Sequence, residues 1–340
     1  MGTINFAVIG CGHIGKRHAT IIHYHPDCNL VALCDIRPKE DLAIDDFEIP
    51  FFDTMSSLLD SDLPIDVVCI CTPNYLHASQ SLLAINKDLH VVCEKPMGLS
   101  KASCEEVIHA ALNKNRRVFC VMQNRYSPPS QWIKEVIEKK LLGDIYFVHA
   151  DCFWNRDERY YQPEGKSHLW KGIKETDGGT LFTQFSHFID MLYWLFGDIQ
   201  NINARFFDFN HKNLTEFEDS GCILFDFVQG GAGSINYSTS VYDQNFESSL
   251  TIIGKKGTVK IGGQYMNKIE YCNIQDYQML ELPEAGPPND YGTYTGSAAN
   301  HHYVIQNVVD VLKGNKKVTT NALEGLKVVE IIERIYECRK

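Results

Sequence analysis

The sequence predicts two domains in series. The first is a doubly wound α/β unit on a parallel sheet, residues 1–122. The second is an α+β unit with a large, mostly antiparallel sheet, residues 123–340. Three observations predict this. The first thirty-five residues read strand, glycine turn, helix, strand, acid. Strands and helices then alternate as far as Met122. Beyond Ile145 the chain carries successive strand-like runs separated by turn signals.

Asn5–Ile9 is an apolar strand that runs into Gly10-Cys11-Gly12-His13-Ile14-Gly15, a G-x-G-x-x-G spacing. A helical pattern continues through Ile22, and Leu30–Cys34 is a second strand ending in Asp35. This is the dinucleotide-binding arrangement. Gly10 allows the tight turn, Gly12 lets backbone approach a pyrophosphate, and Gly15 lets the helix pack on the strand. The helix N-terminus, with His13 and Ile14, offers N–H groups to phosphate. Asp35 can accept from both hydroxyls of an adenosine ribose, which favours NAD over NADP; Arg37 leaves an opening for NADP. Val67–Thr72 is a near-continuous apolar run, as in a strand buried on both faces. Thr72-Pro73-Asn74 stops it, and His77–Asn86 reads as a helix. His90–Glu94 is the next strand, ended by Lys95-Pro96. Ser100 caps a helix to Asn113, and Val118–Met122 closes the sheet.

In the second half, Ser130–Lys140 reads as a helix and Ile145–Phe153 as a strand. Thr180–Phe196 reads as one long helix ended by Gly197. The strand-like runs follow at 202–209, 220–227, 233–240, 249–253, 258–261 and 268–271. Pro287-Pro288-Asn289 and the glycines after it read as a loop, and 302–312 and 322–338 as closing helices.

Composition bounds the function. The 340 residues carry a net charge of −11, which argues against a nucleic-acid partner. No apolar run reaches the roughly 18 residues of a membrane span, so no membrane partner is expected. The N-terminal residues do not read as a signal peptide, and the expected location is the cytoplasm. The twelve cysteines include no C-x-x-C, and many fall inside apolar strands. They read as reduced, buried thiols. The thirteen histidines show no H-x-x-x-H. No metal site is expected.

Gly10–Gly15, Thr72-Pro73-Asn74 with His77, Glu94-Lys95-Pro96, and Gly178-Gly179 to His187 followed by Asp190 occur in an order that resembles the Gfo/Idh/MocA family of nicotinamide-dependent oxidoreductases. The resemblance covers essentially the whole chain. Trp170-Lys171-Gly172, Asp177–Asp190, Gln123–Tyr126 and Asn300–His302 are similar to the branch that oxidises the 3-hydroxyl of UDP-N-acetylglucosaminuronic acid. It implies NAD as cofactor, tightly held and recycled by a 2-oxo acid, a homotetramer, and a place in nucleotide-sugar biosynthesis for cell-surface polysaccharide.

The resemblance implies that Lys95 contacts the reacting hydroxyl. His187 lies on an otherwise apolar helix, with Thr183 and Asp190 at i−4 and i+3 on one polar stripe, and can act as general base near neutral pH. Asp190 either orients that ring or supports the fold. Sugar and inositol dehydrogenases of the family usually carry an aspartate at the position of Thr183, so the family's Asp–His pair is incomplete here. Thr72, Pro73, Asn74, His77, Glu94, Lys95, Gln123, Trp170 and Lys171 are the remaining cofactor-side candidates. Glu94 is expected at the nicotinamide ribose. Arg156 and Tyr160, in a loop with Arg159, Tyr161 and Lys166, suit a uronate carboxylate or a diphosphate. Thr183, Gln184 and His187 complete the substrate candidates. The alternatives are a free-sugar or inositol dehydrogenase, a glycosidase acting through transient oxidation, and a dinucleotide sensor without catalysis. A sensor could dispense with Lys95, and this chain keeps it.

Overall fold

A computed structural model describes residues 2–163, 170–292 and 294–339. Lys166 of the basic loop lies outside them. The chain divides into two compact units: Met1–Met122 with His301–Val329, and Gln123–Asn300 with Glu330–Lys340.

The first unit begins with β1 (Ile4–Ile9), α1 (His13–Tyr24) and β2 (Cys28–Cys34). Gly15, His18, Ala19 and Ile22 form the buried stripe of α1, a three-four spacing that turns one face inward. β3 (Phe51–Phe52), α2 (Met55–Leu59), β4 (Val67–Ile70), α3 (His77–Asn86), β5 (His90–Cys93), α4 (Lys101–Asn113) and β6 (Val118–Cys120) follow. Every residue of β4 is buried, so the strand carries no polar alternation. Ser100 Oγ accepts the Ser103 N–H at 3.2 Å and caps α4 where the sequence placed the cap. The six strands are parallel in the order β3-β2-β1-β4-β5-β6. The order reverses between β1 and β4, and ligands of open α/β sheets bind beyond the carboxyl ends of strands at such a switch. Gly10, Thr72 and Lys95 stand at three of those ends.

The second unit contains α5 (Pro128–Glu138), β7 (Ile145–Phe153), α6 (Glu158–Tyr161) and α7 (Lys174–Asp177). A π-helical turn, Leu181–Phe185, then leads into α8 (Ser186–Phe196). The expected single helix over 180–196 is therefore two pieces. β8 (Ile199–Phe207), β9 (Ser220–Phe227), β10 (Ala232–Ser238), β11 (Glu247–Gly254), β12 (Gly257–Gly262) and β13 (Lys268–Ile274) join β7 in one sheet, in the order β13-β12-β11-β7-β10-β9-β8. All neighbours are antiparallel except β7 and β10. Val148, Ala150 and Cys152 of β7 point to the buried face. Phe185 packs on Trp154 and Tyr237, and Phe196 on Phe227, so the π turn and α8 cover that face. On the opposite face Cys222, Leu224, Ile253 and Tyr271 are exposed. The expected loop at 287–289 is in part a strand: β14 (Pro288–Asp290) pairs with β15 (Thr295–Ala298). Proline at the start of a short edge strand gives up no ladder bond, which is why composition alone misread it.

α9 (His301–Leu312) belongs to the first unit, and α10 (Ala322–Glu337) runs from the first into the second. Among the described residues no helix is long and apolar enough to cross a membrane.

Candidate active site

The glycine turn is built by close backbone approach. Gly10 has φ +87°, and a Cβ there would lie 2.7 Å from the Cys71 carbonyl oxygen. A Cβ on Gly15 would lie 1.7 Å from the Gly10 oxygen. Nothing lies within 4 Å of where a Gly12 Cβ would sit, and no side chain caps α1 at Gly12. The α1 N-terminus thus presents the positive end of the helix dipole with no side-chain cap at Gly12. Asp35, buried at the end of β2, accepts the Cys11 N–H at 2.7 Å and the Arg37 guanidinium at 3.0 and 3.1 Å. Burial pushes its carboxyl up, but the Arg37 and backbone bonds outweigh that and hold it below the usual range. A cradle open only at Gly12, with a carboxylate at the next strand end, fits a dinucleotide.

The other two strand ends are tied together. His77 is buried, with Nε2 2.7 Å from the Thr72 oxygen and Nδ1 2.6 Å from the Pro96 oxygen. Burial pushes the imidazole down while these two carbonyls push it up, and burial wins. His77, a cofactor-side candidate in the sequence, thus spans the turn after β4 and the Lys95-Pro96 segment. Thr72 Oγ1 donates to Gln80 Oε1 at 2.6 Å, and Asn74 is buried. Glu94 faces the protein: Oε1 lies 2.9 Å from His18 Nε2 and 3.5 Å from His301 Nε2, and Oε2 accepts the Lys95 N–H at 3.2 Å. Burial pushes this carboxyl up, yet the bonds from His18 and His301 hold it well below the carboxylate range.

In the second unit His187 is buried, with its Nε2 3.2 Å from Gln123 Nε2. In this amide orientation the carboxamide donates, so the ring keeps its proton at Nδ1 and its lone pair at Nε2. Gln123, expected on the cofactor side, holds the candidate base. Asp190 is bidentate with Arg125, at 2.8 and 2.6 Å, and both are buried. This pair engages both carboxylate oxygens of Asp190. Thr183 donates its hydroxyl to Asp177 Oδ1, and Asp177 Oδ2 accepts the Gly172 N–H at 2.8 Å. Asp177 was visible in the sequence but carried no assigned role: it lies six residues before Thr183, and only the fold joins them.

Arg156 is fully buried without an ion-pair partner among the described residues. Its Nε donates to Gln184 Oε1 at 2.7 Å, and its other donors meet Asn155, Asn245 and Thr295 oxygens. The guanidinium lies 4.8 Å from the Trp154 ring centroid, 5.3 Å from Tyr160 and 5.1 Å from Tyr294. Burial pushes its pKa down. Lys171 Nζ sits 3.9 Å above the Tyr160 ring and 5.6 Å from that of Tyr294. Burial pushes this amine down to about 8, with the Asp177 charge opposing. Lys171, expected over the cofactor, thus shares its aromatic walls with Arg156. Trp170, half-buried beside it, accepts the Thr176 hydroxyl on its carbonyl at 2.8 Å.

A glycine turn at the end of β1, an acid at the end of β2 and a second unit with a buried histidine fit one class: a dinucleotide-dependent oxidoreductase. The chain belongs to the Gfo/Idh/MocA family. Residues 4–122 match its oxidoreductase domain with the NAD-binding Rossmann fold, and residues 130–260 match the GFO/IDH/MocA C-terminal domain. Its cofactor is NAD. The structure is similar to the WlbA dehydrogenase from Bordetella pertussis, solved in complex with NADH and UDP-GlcNAcA. The two are 31% identical with TM-score 0.85, over 99% of this chain and 96% of that one. It is also similar to the WlbA dehydrogenase from Chromobacterium violaceum in complex with the same two ligands, at 29% identity and TM-score 0.86, over 99% and 94%. A 2,7-anhydro-N-acetylneuraminate hydratase of Escherichia coli K12 is 25% identical over 77% of this chain and 68% of its own.

Proposed function

We propose that this enzyme oxidises the C3 hydroxyl of UDP-N-acetylglucosaminuronic acid, in nucleotide-sugar biosynthesis for cell-surface polysaccharide. One observation carries the substrate class. Arg156 and Lys171 are two cations on shared tyrosine walls, and neither pairs with a described carboxylate. Buried charge without a partner is costly, and an anionic ligand removes that cost. A uronate or diphosphate supplies the anion; a neutral sugar or inositol does not. Both WlbA dehydrogenases were solved with a substrate of this kind.

NAD would supply the acceptor for the carbinol hydrogen and its electron pair. Gly10, Gly12, Gly15 and the N–H groups at His13 and Ile14 hold its pyrophosphate, and Asp35 its ribose. The Nε2 lone pair of His187, which accepts from Gln123 in the free protein, takes the hydroxyl proton once the carboxamide has given way to the substrate hydroxyl. The Lys95 ammonium donates to the oxygen as it gains negative charge. Arg156, Tyr160, Lys171 and Gln184 fix the anionic end of the sugar. Thr183 ionises at no working pH. Its hydroxyl is held by Asp177, which keeps a carboxylate in this polar core although position 183 lacks one. We assign the exposed face carrying Cys222, Leu224, Ile253 and Tyr271 to contacts between copies in a homotetramer in the cytoplasm.

The test is a substrate panel with purified protein and NAD, read as NADH formation. UDP-N-acetylglucosaminuronate is expected to be turned over, and UDP-N-acetylglucosamine, which lacks the carboxylate, at least about tenfold less well. Preference for a free sugar or inositol would overturn the proposal.

A further inference from the structure

Beneath Lys95 lies a buried cluster that the hydroxyl-oxidising chemistry does not itself use. His18 comes from the second turn of α1, Glu94 from the end of β5, and His301 from the first residue of α9. His18 and His301 are 0% and 1% exposed, and their rings meet edge to face with centroids 5.5 Å apart. Both Nε2 atoms point at one oxygen, Glu94 Oε1. A carboxylate has no proton to give, so His18 presents Nε2–H to it, while His301 Nε2 lies farther off, at 3.5 Å and outside hydrogen-bond geometry. The second oxygen, Oε2, takes the backbone N–H of Lys95. One carboxylate therefore joins the dinucleotide-binding helix and the start of α9 to the residue that carries the proposed reacting amine.

The same atoms lie within 4.8 Å of one another, a span that could also admit a divalent cation. The surroundings argue against it. Metal-bound histidines nearly always donate their other ring N–H to an acceptor. Here neither His18 Nδ1 nor His301 Nδ1 has a partner among the described residues. The Nε2–H of His18 on an ionised carboxylate, with the His301 ring packed beside it, accounts for the cluster without a cation.

We propose that His18 is a positioning residue that acts on Lys95 through Glu94, with His301 packed against both, and that Glu94 positions the lysine rather than binding the nicotinamide ribose. This inference rests on the role given to Lys95 above. The mechanical logic is short. A backbone N–H bound to a carboxylate is a strong, charge-assisted contact. The carboxylate keeps its rotamer only while Oε1 is held. Removing the donor frees Glu94 to turn, and the Lys95 backbone loses its fixed acceptor. A small displacement of a reacting group lowers turnover with little change in binding.

The experiment measures kcat with UDP-N-acetylglucosaminuronate and the Kd for NADH, by fluorescence titration, in Glu94→Gln, His18→Leu, His18→Gln, His301→Leu and Lys95→Met. Glu94→Gln and His18→Leu are expected to lower kcat by about tenfold or more, the scale of a hydrogen bond to a charged group. Their Kd for NADH should stay within about threefold of wild type. His18→Gln, which restores an N–H donor, should recover most of the loss; a purely packing role for the ring would not be rescued by glutamine. If His301→Leu proves unstable, the His18 pair of variants still decides. A Glu94→Gln variant with normal kcat and much weaker NADH binding would overturn the inference and place Glu94 at the ribose. Near-normal turnover in Lys95→Met would instead bring down the role given to Lys95, a result distinct from a dead Lys95→Met beside an active Glu94→Gln.

Discussion

Two glycine turns start the two helices that matter most here, and they are built to opposite ends. At Gly10–Gly15 the glycines clear backbone from backbone, and no side chain caps α1 at Gly12. At Gly178-Gly179 both residues also have positive φ, +94° and +122°. There the space is filled from within: a Cβ on Gly179 would lie 2.6 Å from the Tyr336 hydroxyl, and that hydroxyl accepts the Leu181 N–H at 3.0 Å. Tyr336 in turn donates to Glu218 at 2.7 Å. A turn whose helix N–H groups are satisfied by the protein serves the fold. A turn whose helix start carries no side-chain cap leaves room for a ligand. Glycine content alone does not distinguish them.

Substitutions can break this contrast. The largest effect is expected in the second unit, where Arg125→Met leaves the Asp190 carboxylate buried without its bidentate partner. A loss of about 3–5 kcal/mol in unfolding free energy is expected, measured by urea denaturation. Gly15→Ala puts a methyl against the Gly10 oxygen and should weaken NADH binding by about a hundredfold, the upper range of an overpacked site. Gly179→Ala should cost about 1–3 kcal/mol of stability, for a strained φ and a crowded Tyr336, while leaving NADH affinity near wild type. Equal losses of cofactor in the two alanine variants would erase the distinction between the turns.

Asp35→Ala should narrow the preference for NAD over NADP by about tenfold, through the loss of an acceptor and of a repulsive charge. Competition titrations of both cofactors measure it. The smallest effect concerns pH. Lys171 has its folded-state pKa pushed down to about 8, below the roughly 10.4 of an exposed lysine. Between those values the unfolded chain binds more protons, so the burden of burying this amine is present below about pH 8 and lifts as pH rises towards 10. The stability of the wild type relative to Lys171→Met should therefore increase from pH 7 to pH 9.5.

What the sequence made legible follows the same contrast. Backbone-determined features were readable: G-x-G-x-x-G, the apolar run of β4, the Ser100 cap and the parallel alternation each have a local residue signature. Side-chain partnerships across the chain were not. Asp177 meets Thr183 because a π-helical turn intervenes before α8, and no periodicity announces that turn. Asp190 lies on the polar stripe of α8, yet its partner Arg125 is 65 residues upstream. Glu94 follows a strand end that suits a ribose contact, while its Oε1 meets His18, 76 residues before it, and lies 3.5 Å from His301, 207 residues after it. His187 was legible as a buried histidine on an apolar helix; that Gln123 holds its ring was not.

The central claim is that an open NAD-binding turn works with His187 as the base, without an aspartate at position 183. The most direct measurement is the pH profile of kcat/KM for UDP-N-acetylglucosaminuronate oxidation in wild type, His187→Asn and Thr183→Val. The account predicts that the asparagine variant loses most turnover. It also loses the acidic limb, which should fall at about pH 6–7 where imidazoles ordinarily titrate. The valine variant should keep that limb and lose about tenfold or less, the scale of one neutral hydrogen bond. An acidic limb that survives in His187→Asn, or a valine variant as inactive as the asparagine one, would contradict it.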